Sequence, residues 1–304
     1  MSKSYEKVNY LLRLRKQIER KLIIEVLQHM TDVVDAKNYH YLGFGSVFFA
    51  DFILFHKYLN ISAMSSIDDK VDDEKRFRFN KPYHFIDFKI SKSTAFLTKD
   101  LNWNDNLLIW LDYDTVLSST VIEDIELIGT KAKYSDMLIV TIEATKPTNG
   151  EEFLLEFKDY IPAATRIKEV VENFQRVLCW IMNSCVRNGI NRRTSQIKFL
   201  QLFSLAYRDT KDMYTYGGIF CDETTEKKIT NKVSDLHFIS HGDKVVKIDC
   251  PILSPKEKIY LDGFVKAAGK IDRRYTRKCG ISSEDIRRYC EYYKYYPQFF
   301  ESLY

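Results

Sequence analysis

The chain has 304 residues, 45% of them apolar, and a net charge of +4 from 46 Lys and Arg against 42 Asp and Glu. That length is one large domain or a domain with an extension, and so small a net charge neither demands nor excludes nucleic acid. Its six cysteines form no Cys-x-x-Cys pair and no uncharged run approaches the ~18 residues of a membrane span, so the pattern speaks against a zinc ribbon, a redox dithiol or a membrane anchor, and predicts a cytoplasmic protein with reduced thiols.

Residues 8 to about 30 read as an amphipathic helix. Leu11, Leu14, Ile18, Leu22 and Val26 recur at three and four, with Ile23, Leu27 and Met30 beside them. Arg13, Arg15, Lys16, Arg20 and Lys21 fill most remaining positions and are expected to form a solvated basic face. From residue 39 short apolar runs alternate with helical stretches. Tyr39–Leu42 is a strand ending at Gly43, followed by a helix over Val47–Leu59. Ala63–Ile67 is a strand closed by Asp68-Asp69-Lys70. Tyr83–Ile86, Leu107–Leu111 and Met137–Ile142 are three more, and Asp112-Tyr113-Asp114 closes the second of these. Such alternation predicts a parallel sheet covered on both faces.

A long helix is predicted from Pro162, in its first turn, to Asn188-Gly189. Ile197–Tyr207 and Met213–Cys221 then flank a polar turn, the pattern of a hairpin. Beyond it, Thr224–Ser240 reads as polar loop, Val245–Ile248 as a short strand and Ser254–Ala268 as a helix. A last helix starts near Ser282, where Ser282 and Asp285 fit a capping box. The organisation expected is an N-terminal helical segment at 1–37, an α/β domain at 38–222 and a basic, aromatic extension at 223–304.

Gly43-Phe44-Gly45-Ser46 holds two glycines, and Phe48 stands where a dinucleotide fingerprint would place a third. A ligand without phosphate needs less: glycines that admit the backbone, and a carboxylate at the next strand end for ribose hydroxyls. Asp68 and Asp69 supply the latter. Asp87 is read as following the third strand, and Asp112 ends the fourth. Singly each is as well explained as a turn former or helix cap. Together they fall at successive carboxyl ends of strands, where open parallel sheets bind ligands.

The order of elements and these marks resemble a class I S-adenosylmethionine-dependent methyltransferase, over about residues 38–222, and Tyr41–Leu59 is similar to methyltransferase-like bacterial proteins of unassigned substrate. The resemblance implies a doubly wound, mostly parallel, Rossmann-like sheet of seven strands, the last two a hairpin, here with an N-terminal helix and a C-terminal helical extension. It implies S-adenosylmethionine as cofactor, with Gly43, Phe44, Gly45 and Ser46 at its methionine end, Asp68 and Asp69 at the ribose and Asp87 toward the adenine. The fourth motif, Asp112-Tyr113-Asp114, lacks the paired prolines with which base-amino methyltransferases grip a flipped base. Asp112 and Asp114 are then candidates to take the acceptor's proton, and Tyr113 to stack on a planar substrate.

His237 and His241 stand four apart without a metalloprotease pattern around them, and no metal site is expected. Across residues 266–296, Lys266, Lys270, Arg273, Arg274, Arg277, Lys278, Arg287, Arg288 and Lys294 interleave with tyrosines. This pattern suits single-stranded nucleic acid or a partner protein. It suits somewhat better a terminal helix whose buried stripe is Ile286, Tyr289, Tyr293 and Tyr296, with the arginines solvated. Two functional readings follow: a methyltransferase whose acceptor is open, the tail favouring nucleic acid slightly over protein or a small molecule, and a catalytically inactive subunit that keeps the fold and binds within a larger protein or nucleoprotein assembly.

Overall fold

The computed structural model describes residues 12–69, 71–194, 196–266, 269–271 and 280–297. Eight strands form one sheet: β1 (Tyr39–Phe44), β2 (Ala63–Asp68), β3 (Ile86–Ile90), β4 (Asn106–Asp112), β5 (Met137–Glu143), β6 (Lys198–Arg208), β7 (Asp212–Cys221) and β8 (Val246–Lys247). Their order is β3-β2-β1-β4-β5-β7-β6-β8. The first five are parallel, and the hairpin β6–β7 folds back so that β7 alone runs antiparallel, between β5 and β6. The eighth strand pairs parallel with β6 over two positions, one strand more than the seven expected.

Alternation along each central strand makes two cores. Leu108 and Trp110 of β4 face one side; Leu107, Ile109 and Leu111 face the other. The first side is covered by α1 (Leu14–His29), α2 (Ala50–Leu59) and α3 (Glu74–Asn80). The second is covered by α4 (Ser93–Lys99), α5 (Ser119–Lys131), α6 (Gly150–Glu156), α7 (Ile167–Glu172) and α8 (Phe174–Asn191). Among the described residues the remaining α-helices are α9 (Glu223–Val233), α10 (Pro255–Asp262) and α11 (Ser283–Tyr292). Ile286, Tyr289, Tyr292 and Tyr296 share the core of α1.

The departures from expectation have physical causes. The long helix predicted from Pro162 is two helices, broken at Asn173 (φ −127°, ψ 41°). It does not stop at Gly189 either: a Cβ there would lie 2.3 Å from the Glu126 carbonyl and 2.8 Å from the Gly129 Cα. That glycine lets α8 approach α5, so its use is packing and not termination. Residues 224–233, read as loop, form α9, capped by Asp222 accepting from the Thr225 N–H at 2.7 Å. Only Ile229 and Val233 of that helix are buried, too narrow an apolar stripe to stand out in sequence. Ser254 and Glu257 make a full capping box at α10. At α11, Ser282 accepts from the Asp285 N–H, but the Asp285 carboxylate binds the Ser282 hydroxyl and not its N–H, so that expected box is half formed.

Gly189→Ala should cost about 1–3 kcal/mol of stability, the usual range for overpacking. Urea unfolding measures it, and a neutral substitution would show that the two helix backbones are not in contact there.

Candidate functional site

The strand order reverses between β1 and β4, and the loops leaving their carboxyl ends diverge to opposite faces. Such a switch point leaves a crevice. Here it is a cleft of about 420 Å³, lined among others by Phe44, Gly45, Ser46, Asp68, Asp69 and Asp112. Its size is that of an ordinary small-ligand site.

The first wall is the β1–α2 loop. Ser46 stabilises it, its hydroxyl accepting from the Phe48 N–H at 3.2 Å and its carbonyl from the Phe49 N–H at 3.1 Å. Phe49 takes the left-handed conformation (φ 44°, ψ 35°) and launches α2. A buried aromatic residue rarely adopts that conformation; its ring is held against Phe52 and Phe77. Gly45 lines the cleft, and a Cβ there would lie 2.1 Å from the Ser66 hydroxyl. That hydroxyl is buried and without a partner. Gly43 has a different use. It lies inside β1, outside the cleft lining, and a Cβ on it would meet the Tyr41 hydroxyl at 2.4 Å. Its bare Cα makes room for Tyr41, whose hydroxyl donates to Asp51 in the first turn of α2.

Asp68 ends β2 and lines the cleft, with Asp69 exposed beside it. Asp87 does not join them. The third strand runs over Ile86–Ile90, so Asp87 is near its start, is 61% exposed and lies 3.8 Å from Lys89. The carboxyl end of β3 instead contributes Ser91, Lys92 and Ser93. The expected strand starts three residues early and ends four early because Tyr83 and Phe85 look strand-like; they stack on each other before the strand begins.

At the end of β4, Asp112, Tyr113 and Asp114 all line the cleft. Tyr113 packs edge-on to Phe44 at 5.0 Å, and its hydroxyl donates to Asp124 at 2.5 Å. Burial and the Asp124 carboxylate push that phenol well above its ordinary range. It therefore stays protonated and is unsuited to take a proton. Asp124, which sequence reading passed over, also accepts from Thr94 at 2.5 Å, clamping α5 to α4 beside the cleft.

The largest omission is α1. Its Lys16, Glu19 and Arg20, at 1%, 0% and 3% exposure, are buried in the protein and not on a solvated face. The Lys16 ammonium lies 2.9 Å from Asp112 and 2.8 Å from Glu19, and 4.6 Å above the Trp110 ring. Glu19 also accepts from Thr215 and from Tyr207 at 3.3 Å. Thr215 bonds Thr141 at 2.8 Å, which takes the Trp110 indole N–H at 3.0 Å. Burial pushes the carboxyl groups of Glu19 and Asp51 up, against the pull of Lys16 and Arg20 respectively. A signal existed: residues 16, 19 and 20 continue at helical spacing into Ile23 and Leu27, which are core. Asp209 sets the start of the helix, accepting from the Arg15 and Lys16 N–H groups at 3.1 Å each.

Of the basic tail, Arg273, Arg274, Arg277 and Lys278 lie outside the described residues. Arg287 is paired with Glu284 and Glu291, and Arg288 with Asp249 and Asp285. Tyr289, Tyr292 and Tyr296 are buried, so the aromatic stripe there is core, with Tyr292 in the place expected for Tyr293. His237 packs on Phe238 and Tyr292, while His241 bonds the Gln201 carbonyl at 2.9 Å. No helix among the described residues is long and apolar enough to cross a membrane.

Residues 8–304 match the model of a family described as "Putative O-methyltransferase", and the chain belongs to that family. The family is one of S-adenosylmethionine-dependent methyltransferases. No curated protein sequence matches the chain. Among solved structures it is similar to Trm1 from Pyrococcus horikoshii in complex with S-adenosyl-L-methionine, at 13% identity and a TM-score of 0.48, over 75% of this chain and 61% of that one. It is similar to the N-methyltransferase NodS from Bradyrhizobium japonicum, at 10% identity and a TM-score of 0.39, over 67% and 97%. An rRNA methylase from Streptococcus thermophilus matches at 10% identity and a TM-score of 0.36, over 69% and 99%.

Lys16→Met should destabilise the fold by about 3–5 kcal/mol, because two carboxylates lose their counter-charge in a dry place. Adding Glu19→Gln should recover part of it. Glu19 binds its proton more tightly folded than unfolded, so ionising it costs stability as pH rises above the ordinary carboxylate range. Urea unfolding against pH should show that loss deepen in Lys16→Met and vanish in the double variant; parallel profiles would remove Glu19 from the network.

Proposed function

We propose that the chain transfers the methyl group of S-adenosylmethionine to an oxygen atom of a small molecule. The observation that carries this reading is the cleft itself: a glycine-bearing loop, carboxylates at the ends of β2 and β4, and a buried lysine holding the second of these. The β1–α2 loop suits the methionine end, since any side chain at position 45 would fill the approach and strike Ser66. Asp68, with Asp69 beside it, would accept from the ribose hydroxyls. The ring of Phe44 and the edge-packed Tyr113 form an apolar wall between these points. When bound, the cofactor supplies an electrophilic methyl carbon, and transfer requires the acceptor oxygen in line with it.

The chain's own part is alignment and proton removal. Asp112 is 26% exposed, with one oxygen on Lys16; its other oxygen can receive the proton of an acceptor hydroxyl. Lys16 holds that carboxylate in place. Asp114, exposed further along the loop, is the lesser candidate.

The small-molecule acceptor is favoured over nucleic acid by the charge of the cleft. Asp51, Asp68, Asp69, Asp112 and Asp114 line it against only Arg20 and Lys92, a poor seat for a polyphosphate backbone. Of the tail features that suggested nucleic acid, Tyr289, Tyr292 and Tyr296 are buried and Arg287 and Arg288 are ion-paired with acids of the same chain, while Lys266, Lys270 and Lys294 are exposed.

Calorimetry with S-adenosylhomocysteine should show binding to the unmodified chain, weakened at least tenfold in Gly45→Ala, with partial recovery in Gly45→Ala/Ser66→Ala. No binding to the unmodified chain at millimolar ligand would sink the reading. For the acceptor, radiolabel from methyl-labelled S-adenosylmethionine should enter the small-molecule fraction of a cell extract, and Asp112→Asn should abolish the transfer while retaining cofactor affinity. Label in the nucleic-acid fraction would refute the acceptor class.

A further inference from the structure

One charged side chain at the cleft has donors that the chain's own contacts leave unsatisfied. Arg20 is 3% exposed, yet its Nε and Nη1 have no hydrogen-bond partner. It lines the cleft beside Gly45, Ser46 and Asp51. Asp51, whose carboxyl feels the charge of Arg20, is bonded to the Tyr41 hydroxyl. A guanidinium with two buried donors unsatisfied is costly, and its planar set of donors suits a carboxylate. The N-terminus of α2, a helix of 10 residues, opens at the same place and favours negative charge.

We propose that Arg20 is the anchor for the carboxylate of the methyl donor's amino-acid end. This rests on the assignment of the cleft to S-adenosylmethionine. The surrounding charges select the group. A phosphate dianion would sit among the carboxylates of Asp51, Asp68 and Asp112, which lie in the same cleft. A zwitterionic amino acid is suited to it: its carboxylate meets Arg20, and its ammonium and the neighbouring sulfonium meet the acids. Arg20 stands one helical turn beyond Lys16 on α1. The helix that steadies Asp112 through Lys16 therefore also positions the donor through Arg20, and the two contacts hold methyl group and proton acceptor in one frame.

The test compares S-adenosylmethionine with its decarboxylated form, which differs only by that carboxylate. A buried charge-assisted hydrogen-bond pair corresponds to roughly 10- to 100-fold in affinity. Calorimetry on the unmodified chain should therefore show the carboxylate-bearing ligand binding tighter by that factor. In Arg20→Gln the preference should shrink to about twofold by loss of affinity for S-adenosylmethionine, with the decarboxylated ligand unchanged. Arg20→Lys, which keeps the charge without the fork, should fall between. The ratio is read within each variant, so a general loss of stability does not imitate the effect. If Arg20→Gln does not fold, the ligand pair on the unmodified chain and on Arg20→Lys decides. Equal binding of the two ligands by the unmodified chain overturns the proposal, as does an intact ratio in the folded Arg20→Gln variant. The latter result, with a raised acceptor KM, would assign Arg20 to an acid group of the acceptor instead. 5′-Methylthioadenosine separates the two levels. If the unmodified chain binds neither it nor S-adenosylmethionine, the cofactor assignment fails and this inference with it; if it binds both equally, only the role of Arg20 fails.

Discussion

The ammonium of Lys16 is the charge around which the site is organised. Removing it from water would cost several kcal/mol if it stood alone. It is instead held by Asp112 at 2.9 Å and Glu19 at 2.8 Å, over the face of Trp110. The partners come from two elements, β4 and α1. Trp110 and Asp112 are on β4, so the bond ties α1 to the central strand at the mouth of the cleft. Glu19 is on α1 itself, and its other contacts, Thr215 and Tyr207, belong to the hairpin. Removing Lys16 leaves the buried carboxylate of Glu19 without its counter-charge, so the network is costly to break at that point even where its net contribution to stability is small.

Backbone topology and side-chain electrostatics contribute different things to the cleft. Topology supplies the place: parallel strands whose order reverses at β1 and β4 leave a crevice whatever their sequence. Side chains decide what enters it. Gly45 keeps the loop low over Ser66, and Phe49 in the left-handed region turns the chain into α2 within a few residues. Such strain costs about 1–3 kcal/mol and persists only where packing enforces it. Here the enforcing contacts are the rings of Phe52 and Phe77.

The central strands and the acids that end β2 and β4 were legible in the sequence because both signals are local. A strand buried on both faces is an apolar run, and an acid after it marks where the run meets solvent. Asp87 was misplaced because a strand's start depends on pairing with its neighbour: Ile86 aligns with Met64, and nothing in the residues before it announces that register. Lys16, Glu19 and Arg20 were missed for a related reason. Charged residues at helical spacing look the same on a wet face and on a dry one. Their burial follows from Asp112 and Thr215, far along the chain, and a single helix carries no record of what it docks against.

That distance also explains the aromatic tail. The α1 helix is fixed at its start by Asp209, 194 residues from Arg15. Further along, Lys21 donates to the carbonyls of Tyr295 and Tyr296 at 3.0 and 3.2 Å, and Glu25 accepts from the Tyr295 hydroxyl. Helix α1 is thus clamped between the hairpin and the last described turn. The tyrosines of the tail, buried against α1, supply the apolar area that holds this helix down over two charges that resist burial. Their connection to chemistry is mechanical: they keep Lys16 on Asp112 and the guanidinium of Arg20 at the edge of the cleft.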